Sequence, residues 1–252
     1  MRLPSLFLIL AAALSAVPCA AAEVAVAVAA NFTAPMQRLA VLFEQQTGHR
    51  VVASYGSTGK FAAQIQNGAP FEVFLAADDE TPERLERAGD GVGGSRFTYA
   101  VGRLVLWSRQ AGLVGTNGEV LRGDGFDRLA IADPRLAPYG AAAVQTLRSL
   151  GLYERLQSRL VTGENITQAH QFVATGNASL GFVALSQVYV DGRIGSGSAW
   201  VVPARLHQPI VQQALLLQKG RDNPAAAALL RFLRSEPVLA LIRSFGYDTP
   251  AE

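Results

Sequence analysis

Cysteine and histidine are nearly absent. Among 252 residues there is one Cys, Cys19, and three His, at positions 49, 170 and 207. A lone cysteine excludes an internal disulfide framework. A zinc site needs clustered Cys, His or carboxylates, and no H-x-x-x-H pair occurs, so side-chain coordination of a metal ion is not expected. Neither charge sign dominates: 22 Lys and Arg stand against 20 Asp and Glu, for a formal net charge of +2. No charge run exceeds Asp78-Asp79-Glu80, so nucleic acid and charged membrane surfaces find no electrostatic footing. Past the first 22 residues there is no apolar run of the roughly 18 needed for a membrane span.

What is present begins with an address. Arg2 is followed by the apolar run Leu6 to Val17 and by Cys19-Ala20-Ala21-Ala22. This is the pattern of a cleavable secretory signal peptide over residues 1–22, with the mature start at Glu23. Pro18 directly before Cys19 fits a lipoprotein anchor poorly. An exported chain without a thiol must be held by its core, and a hydrophobic content of 50% suffices for one large domain or two small ones.

Apolar runs alternate with helical patterns. Val24 to Val28 is short, unalternating and rich in valine, as a buried parallel strand is. Met36, Leu39, Ala40 and Phe43 recur at helical spacing behind Pro35. Val51 to Tyr55 predicts a second strand, Phe61 and Ile65 a helix stopped by Gly68, and Phe71 to Ala77 a third strand before a helix opened by Thr81-Pro82-Glu83. The alternation recurs in Leu129 to Ala132, a helix through Val144 and Leu147 closed by Gly151, a helix opening near Ile166, and a strand from Leu180 to Leu185. Between the two units run long apolar passages, Phe97 to Trp107 and Ala199 to Pro203. The strand Ile210 to Leu217 and helices around 225–233 and 238–245 return to the first unit. The expected architecture is α/β, with two doubly wound lobes joined by two crossovers: lobe 1 over residues 23–98, lobe 2 over 99–202, and completion of lobe 1 over 203–252.

The loop Ser54-Tyr55-Gly56-Ser57-Thr58-Gly59-Lys60-Phe61 resembles a phosphate cradle. A nucleotide P-loop requires four residues between its glycines and a Ser or Thr after the lysine, and neither condition holds. A glycine-rich strand-to-helix turn still offers N–H groups and the positive end of a helix dipole to an anion. Three further turns have related chemistry: Ala30-Asn31-Phe32-Thr33, Pro138-Tyr139-Gly140 and Glu164-Asn165-Ile166-Thr167. Ligands of open α/β sheets bind at the carboxyl ends of strands, so closing the lobes would aim four helix starts at one point. Asp78-Asp79-Glu80 is expected to cap a helix rather than hold a metal. The sequons at Asn31, Asn165 and Asn177 include two at expected helix starts, where capping accounts for them. Lys60 is expected to be a solvated side chain rather than a partner for the anion, and His170 a packed or surface residue of an amphipathic helix. No G-x-S-x-G hydrolase elbow occurs.

On these turns the sequence resembles the periplasmic molybdate-binding proteins of ABC transporters. The stretches that carry the resemblance are Val28 to Thr33, Gly56 to Phe61, Asn67 to Asp78, Ser95 to Gly102, Ala137 to Gly140 and Leu180 to Leu185, and they span nearly the whole mature chain. The resemblance implies a two-lobed periplasmic binding protein of type II. It implies oxyanion contacts at Asn31, Ser57, Thr58, Tyr139 and Ile166, the last through its backbone N–H, with Ala30 bordering the site. Some relatives have a ligand-binding Tyr at the position of Ala184, and Tyr139 would compensate here. No cofactor is implied, and molybdenum would enter only as molybdate, held through Asn31, Thr58, Tyr139 and Ile166. The expected partners are molybdate or tungstate and an inner-membrane permease with its ATPase, the chain acting as a periplasmic monomer. Two alternatives remain: a receptor for sulfate or another oxyanion in the same fold, and a secreted serine hydrolase using Ser57 with His170.

Overall fold

The computed structural model describes residues 21–250, so nearly all of the expected signal peptide lies outside the described residues. The first unit alternates β1 (Glu23–Ala29), α1 (Thr33–Thr47), β2 (Arg50–Gly56), α2 (Thr58–Gln66), β3 (Val73–Leu75) and α3 (Glu80–Arg87) before β4 (Phe97–Gly102). The second contains β5 (Leu104–Ser108), β6 (Leu129–Ala132), α4 (Pro138–Ser149), α5 (Tyr153–Leu156), β7 (Leu160–Gly163), α6 (Ile166–Ala174) and β8 (Leu180–Ala184). A small hairpin of β9 (Tyr189–Val190) and β10 (Arg193–Ile194) precedes β11 (Ser198–Val201). The chain closes with β12 (Ile210–Leu216), α7 (Pro224–Leu233) and α8 (Glu236–Ser244).

Two five-stranded sheets result, ordered β2-β1-β3-β12-β4 and β11-β5-β8-β6-β7. β1 pairs in parallel with β2 and β3, which explains its uninterrupted valines and alanines: a central strand covered on both faces has no side for polar residues. Its residues alternate between two cores. Val24, Val26 and Val28 join Met36, Leu39 and Phe43 of α1 and Leu229 of α7, whereas Ala27 joins Phe61 and Ile65 of α2 and Leu85 of α3. A third core fills the second lobe around Leu104 to Trp107, Leu129 to Ala132 and Phe182.

The apolar passage Phe97 to Trp107 is two strands, one in each sheet, with the change of sheet at Arg103. The boundary expected between residues 98 and 99 therefore falls inside β4, which pairs with β12 as far as Gly102. The return crossing lies between β11, antiparallel to β5, and β12, which inserts antiparallel between β3 and β4. β7 was not expected, because Leu-Val-Thr-Gly at a sheet edge is only partly buried and has no apolar run.

Candidate functional site

Each of the four turns leaves the carboxyl end of a strand. A short 3-10 turn, Ala30–Phe32, follows β1; Ser57 precedes α2; Pro138 and Tyr139 open α4; Asn165 caps α6 by accepting from the Gln168 N–H at 3.0 Å. First-turn N–H groups have no acceptor within their own helix, and the helix dipole adds partial positive charge at the same end. The third turn packs closely on β6 because Gly140 lacks a Cβ, which would fall 2.2 Å from the Ala132 carbonyl oxygen.

All six expected residues, Ala30, Asn31, Ser57, Thr58, Tyr139 and Ile166, line one cavity between the lobes, together with Gly56, Ala77, Ala137, Pro138 and Asn165. Its free volume is only about 10 Å³, and it has no Lys, Arg, Asp or Glu in its wall. Pockets for drug-sized organic ligands run to roughly 300–1,000 Å³, so this one excludes ligands of that size.

The hydroxyls are arranged as donors. Thr58 Oγ1 accepts the Ala77 N–H at 3.0 Å, which leaves its own hydrogen for the cavity. The Tyr139 hydroxyl accepts from Gln212 Nε2 at 3.2 Å. Burial lifts the Tyr139 pKa well above the ordinary tyrosine value, so the phenol stays protonated. Ser57 is 3% exposed and its Oγ has no hydrogen-bond partner. An unpaired buried hydroxyl costs about 1–3 kcal/mol, a cost that a ligand accepting from it removes.

One expectation needs correction. Asn31 does not cap a helix: its Nδ2 donates to Gln212 Oε1 at 2.8 Å and to the Tyr247 hydroxyl at 3.0 Å. With both side-chain hydrogens spent, the donor Asn31 retains is its backbone N–H. Lys60, as expected, is nearly half exposed and lies outside the cavity wall; its Nζ pairs with Glu164 at 2.7 Å, from one lobe to the other. His170 stacks on Trp107, with ring centroids 5.0 Å apart and planes 18° from parallel, and Ser57 Oγ contacts no base, so the Ser57 and His170 pairing of a hydrolase is not formed. Burial lowers the His170 pKa. Ala184 is buried at the end of β8 and lies outside the cavity wall, which Tyr139 reaches instead.

Asp78 serves the expected structural role. Its carboxylate accepts from the Thr81 N–H at 2.9 Å in the first turn of α3. It faces a wider cleft of about 630 Å³ that adjoins the cavity at Ala77, Ala137 and Pro138 and mixes Asp79 and Glu80 with Arg84 and Arg135. Those mixed charges do not repeat the neutral donor set.

Sequence reasoning missed the polar layer behind the cavity. Gln212 of β12 is fully buried, the single hydroxyl hydrogen of Tyr99 of β4 is shared between Ala76 O and Gln212 Oε1, each at 3.1 Å, and the Tyr247 hydroxyl donates to Asn31 O at 2.7 Å. Ser186 of the second lobe donates to the same carbonyl at 3.0 Å. A signal did exist for Gln212, a polar residue among the inward positions Ile210, Gln212 and Ala214 of an alternating strand. More interlobe bonds run from Gly59 N to Leu136 O at 2.9 Å and from Thr167 Oγ1 to Ala30 O at 3.3 Å.

Two α/β lobes joined by two crossovers, with a small ligand cavity enclosed between them, define a solute-binding protein. The chain belongs to the family described as bacterial extracellular solute-binding protein, whose model matches residues 24–248. It is 60% identical over 245 residues to the molybdate-binding protein ModA of Azotobacter vinelandii, covering 97% of each chain. It is 51% identical over 234 residues to ModA of Rhodobacter capsulatus, covering 93% of this chain and 91% of that one. Among solved structures, the periplasmic molybdate-binding protein of Azotobacter vinelandii superposes with a TM-score of 0.89 at 44% identity, over 91% of this chain and all of the other. The sulfate-binding protein SubI of Mycobacterium tuberculosis shares the fold, with a TM-score of 0.77 at 12% identity, over 90% of this chain and 87% of that one. These relatives are binding proteins, not enzymes.

Proposed function

We propose that the chain captures molybdate or tungstate in the periplasm and delivers it to an ATP-driven inner-membrane permease. The observation that carries this reading is the set of four helix starts around one small cavity with no charged residue in its wall. The names of the ModA relatives support the choice of ligand. In the mechanism, Ser57, Thr58 and Tyr139 donate through hydroxyls, and Asn31, Thr58, Tyr139 and Ile166 through first-turn N–H groups. These donors are already oriented, so the dianion exchanges water for fixed dipoles with little reorganisation. Molybdenum is bound only as the oxyanion, no cofactor takes part, and the chain works as a monomer.

Selectivity follows from the same chemistry. Part of phosphate carries a proton at neutral pH, and that proton needs an acceptor. Thr58 Oγ1 has already accepted from Ala77. Leaving the proton unpaired costs about 1–3 kcal/mol. Sulfate has no proton but is smaller, so donors fixed on four helices cannot all reach it at about 2.9 Å.

Calorimetric titration with molybdate, tungstate, sulfate and phosphate tests the reading. Molybdate and tungstate should bind alike, sulfate much more weakly and phosphate hardly at all; tight sulfate binding with weak molybdate binding would move the chain to another oxyanion. Molybdate at about a thousand times its Kd should also stabilise the fold by about 4 kcal/mol.

A further inference from the structure

Gln212 is not part of the cavity wall, yet it bonds to two residues that are. Its Oε1 accepts from Asn31 Nδ2 at 2.8 Å and from the Tyr99 hydroxyl at 3.1 Å, and its Nε2 donates to the Tyr139 hydroxyl at 3.2 Å. The amide is fully buried, and Asn31 and Tyr99 belong to its own lobe while Tyr139 comes from the other. Gly102 makes the arrangement possible: a Cβ there would lie 2.2 Å from the Tyr139 oxygen and 2.7 Å from Gln212 Nε2.

A phenol can donate one hydrogen and can also accept one, so without a fixed partner it could meet either an oxyanion or a protonated ligand. We infer that Gln212 is a positioning residue that sets the selectivity of the site: by filling the acceptor side of Tyr139, it leaves the phenol only a hydrogen to offer the cavity. The chain of direction starts at Asn31, whose amide hydrogens both point into the layer and so require the carbonyl end of Gln212 to face them. The Nε2 end is thereby aimed at Tyr139. Fully deprotonated oxyanions gain a donor, and ligands with an acidic O–H lose the acceptor they would need. The arrangement also makes the donor conditional on closure, because Gln212 reaches Tyr139 only when the lobes meet. The inference rests on the oxyanion-binding reading above.

The test is a double-mutant cycle by calorimetry on the mature protein, comparing wild type, Gln212→Met, Tyr139→Phe and the double variant, with molybdate and with phosphate as titrants. Gln212→Met should weaken molybdate binding about tenfold, the scale of one hydrogen bond to a charged group. It should also raise phosphate affinity relative to molybdate. The double variant should bind molybdate no more weakly than Tyr139→Phe alone, because without the phenol hydroxyl there is nothing to orient. Losses that multiply, or an unchanged ratio of phosphate to molybdate affinity, would show a merely structural role and overturn the inference. If Gln212→Met does not melt cooperatively, the near-isosteric Gln212→Glu replaces it. Its loss of molybdate affinity must shrink in the Tyr139→Phe background. Wild type that binds no molybdate would instead defeat the functional reading and leave the cycle unmeasured only for that ligand; the ratio of any bound oxyanion to phosphate would then still have to fall in Gln212→Met.

Discussion

Lys60 Nζ lies 2.7 Å from a carboxylate oxygen of Glu164, joining the first turn of α2 in one lobe to the turn before α6 in the other. Among the described residues it is the one ion pair that links the lobes. Both side chains are nearly half exposed, and such pairs contribute about 0–1 kcal/mol. Lys60→Gln and Glu164→Gln should each weaken molybdate binding by less than about fivefold, with the double variant losing no more than either, and the effect should fade with added salt. A lysine that contacted the anion would give a different result, with Lys60→Gln far more damaging than Glu164→Gln.

Ser57→Ala should separate binding from stability. Removing a buried hydroxyl that has no partner relieves about 1–3 kcal/mol of desolvation in the ligand-free protein, so its melting temperature should rise by a few degrees. Molybdate affinity should fall about tenfold, since the ligand loses a donor. A variant that melts lower and binds normally would place Ser57 in the packing and outside the site.

Thr58→Val should behave differently. It removes the acceptor of the Ala77 N–H as well as the donor to the ligand, so both the melting temperature and the affinity should drop. Thr58→Ser keeps both hydrogen bonds and should stay close to wild type in calorimetry and in thermal melts.

Gly59→Ala should hold the lobes apart. The added Cβ would lie 3.1 Å from Leu136 Cα and 3.2 Å from its carbonyl oxygen, the same carbonyl that accepts the Gly59 N–H at 2.9 Å. Small-angle scattering of the variant with saturating molybdate should give a larger radius of gyration than wild type with the same ligand. An identical profile with unchanged affinity would mean that Leu136 yields.

His170 contributes to the pH dependence of stability. Its pKa is lowered by burial against Trp107, so the folded state binds fewer protons than the unfolded chain. Stability from this group is therefore complete above the unfolded value of about 6.5 and is lost as pH falls through the lower folded value. Between pH 7 and pH 5 the melting temperature of His170→Phe should decline less than that of wild type. Molybdate affinity should not follow the histidine, because the cavity wall has no group that titrates near neutrality.

The parts legible in the sequence were those with local signals. The valines of β1, the spacing of Met36, Leu39 and Phe43, and the Gly and hydroxyl content of the turns at 56–59 and 138–140 each report on their own neighbourhood, and they located the strands, helices and cavity lining. β7 had too little apolar content to register, and the change of sheet at Arg103 lay inside what reads as one apolar run. The layer of Tyr99, Gln212 and Tyr247 could not be assembled from the sequence, because Asn31 lies 181 residues from Gln212 and 216 from Tyr247. Such partners are chosen by the closing of the sheet, and no short-range pattern records them.

The insertion of β12 between β3 and β4 gives the two lobes different histories during synthesis. The second lobe is continuous from Leu104 to Val201 and has all its strands as soon as that stretch has emerged. The first lobe begins at the amino terminus but must wait for residues 210–216 to fill its sheet, and for Asp248, whose backbone pairs with Val101 in both directions, to strap down β4. Contacts of such long range are slow to form. A growing chain therefore has the second lobe complete while the first remains a β1-β2-β3 layer without β12 along β3, and Asn31 does not receive the Tyr247 hydrogen bond until residue 247 has been made.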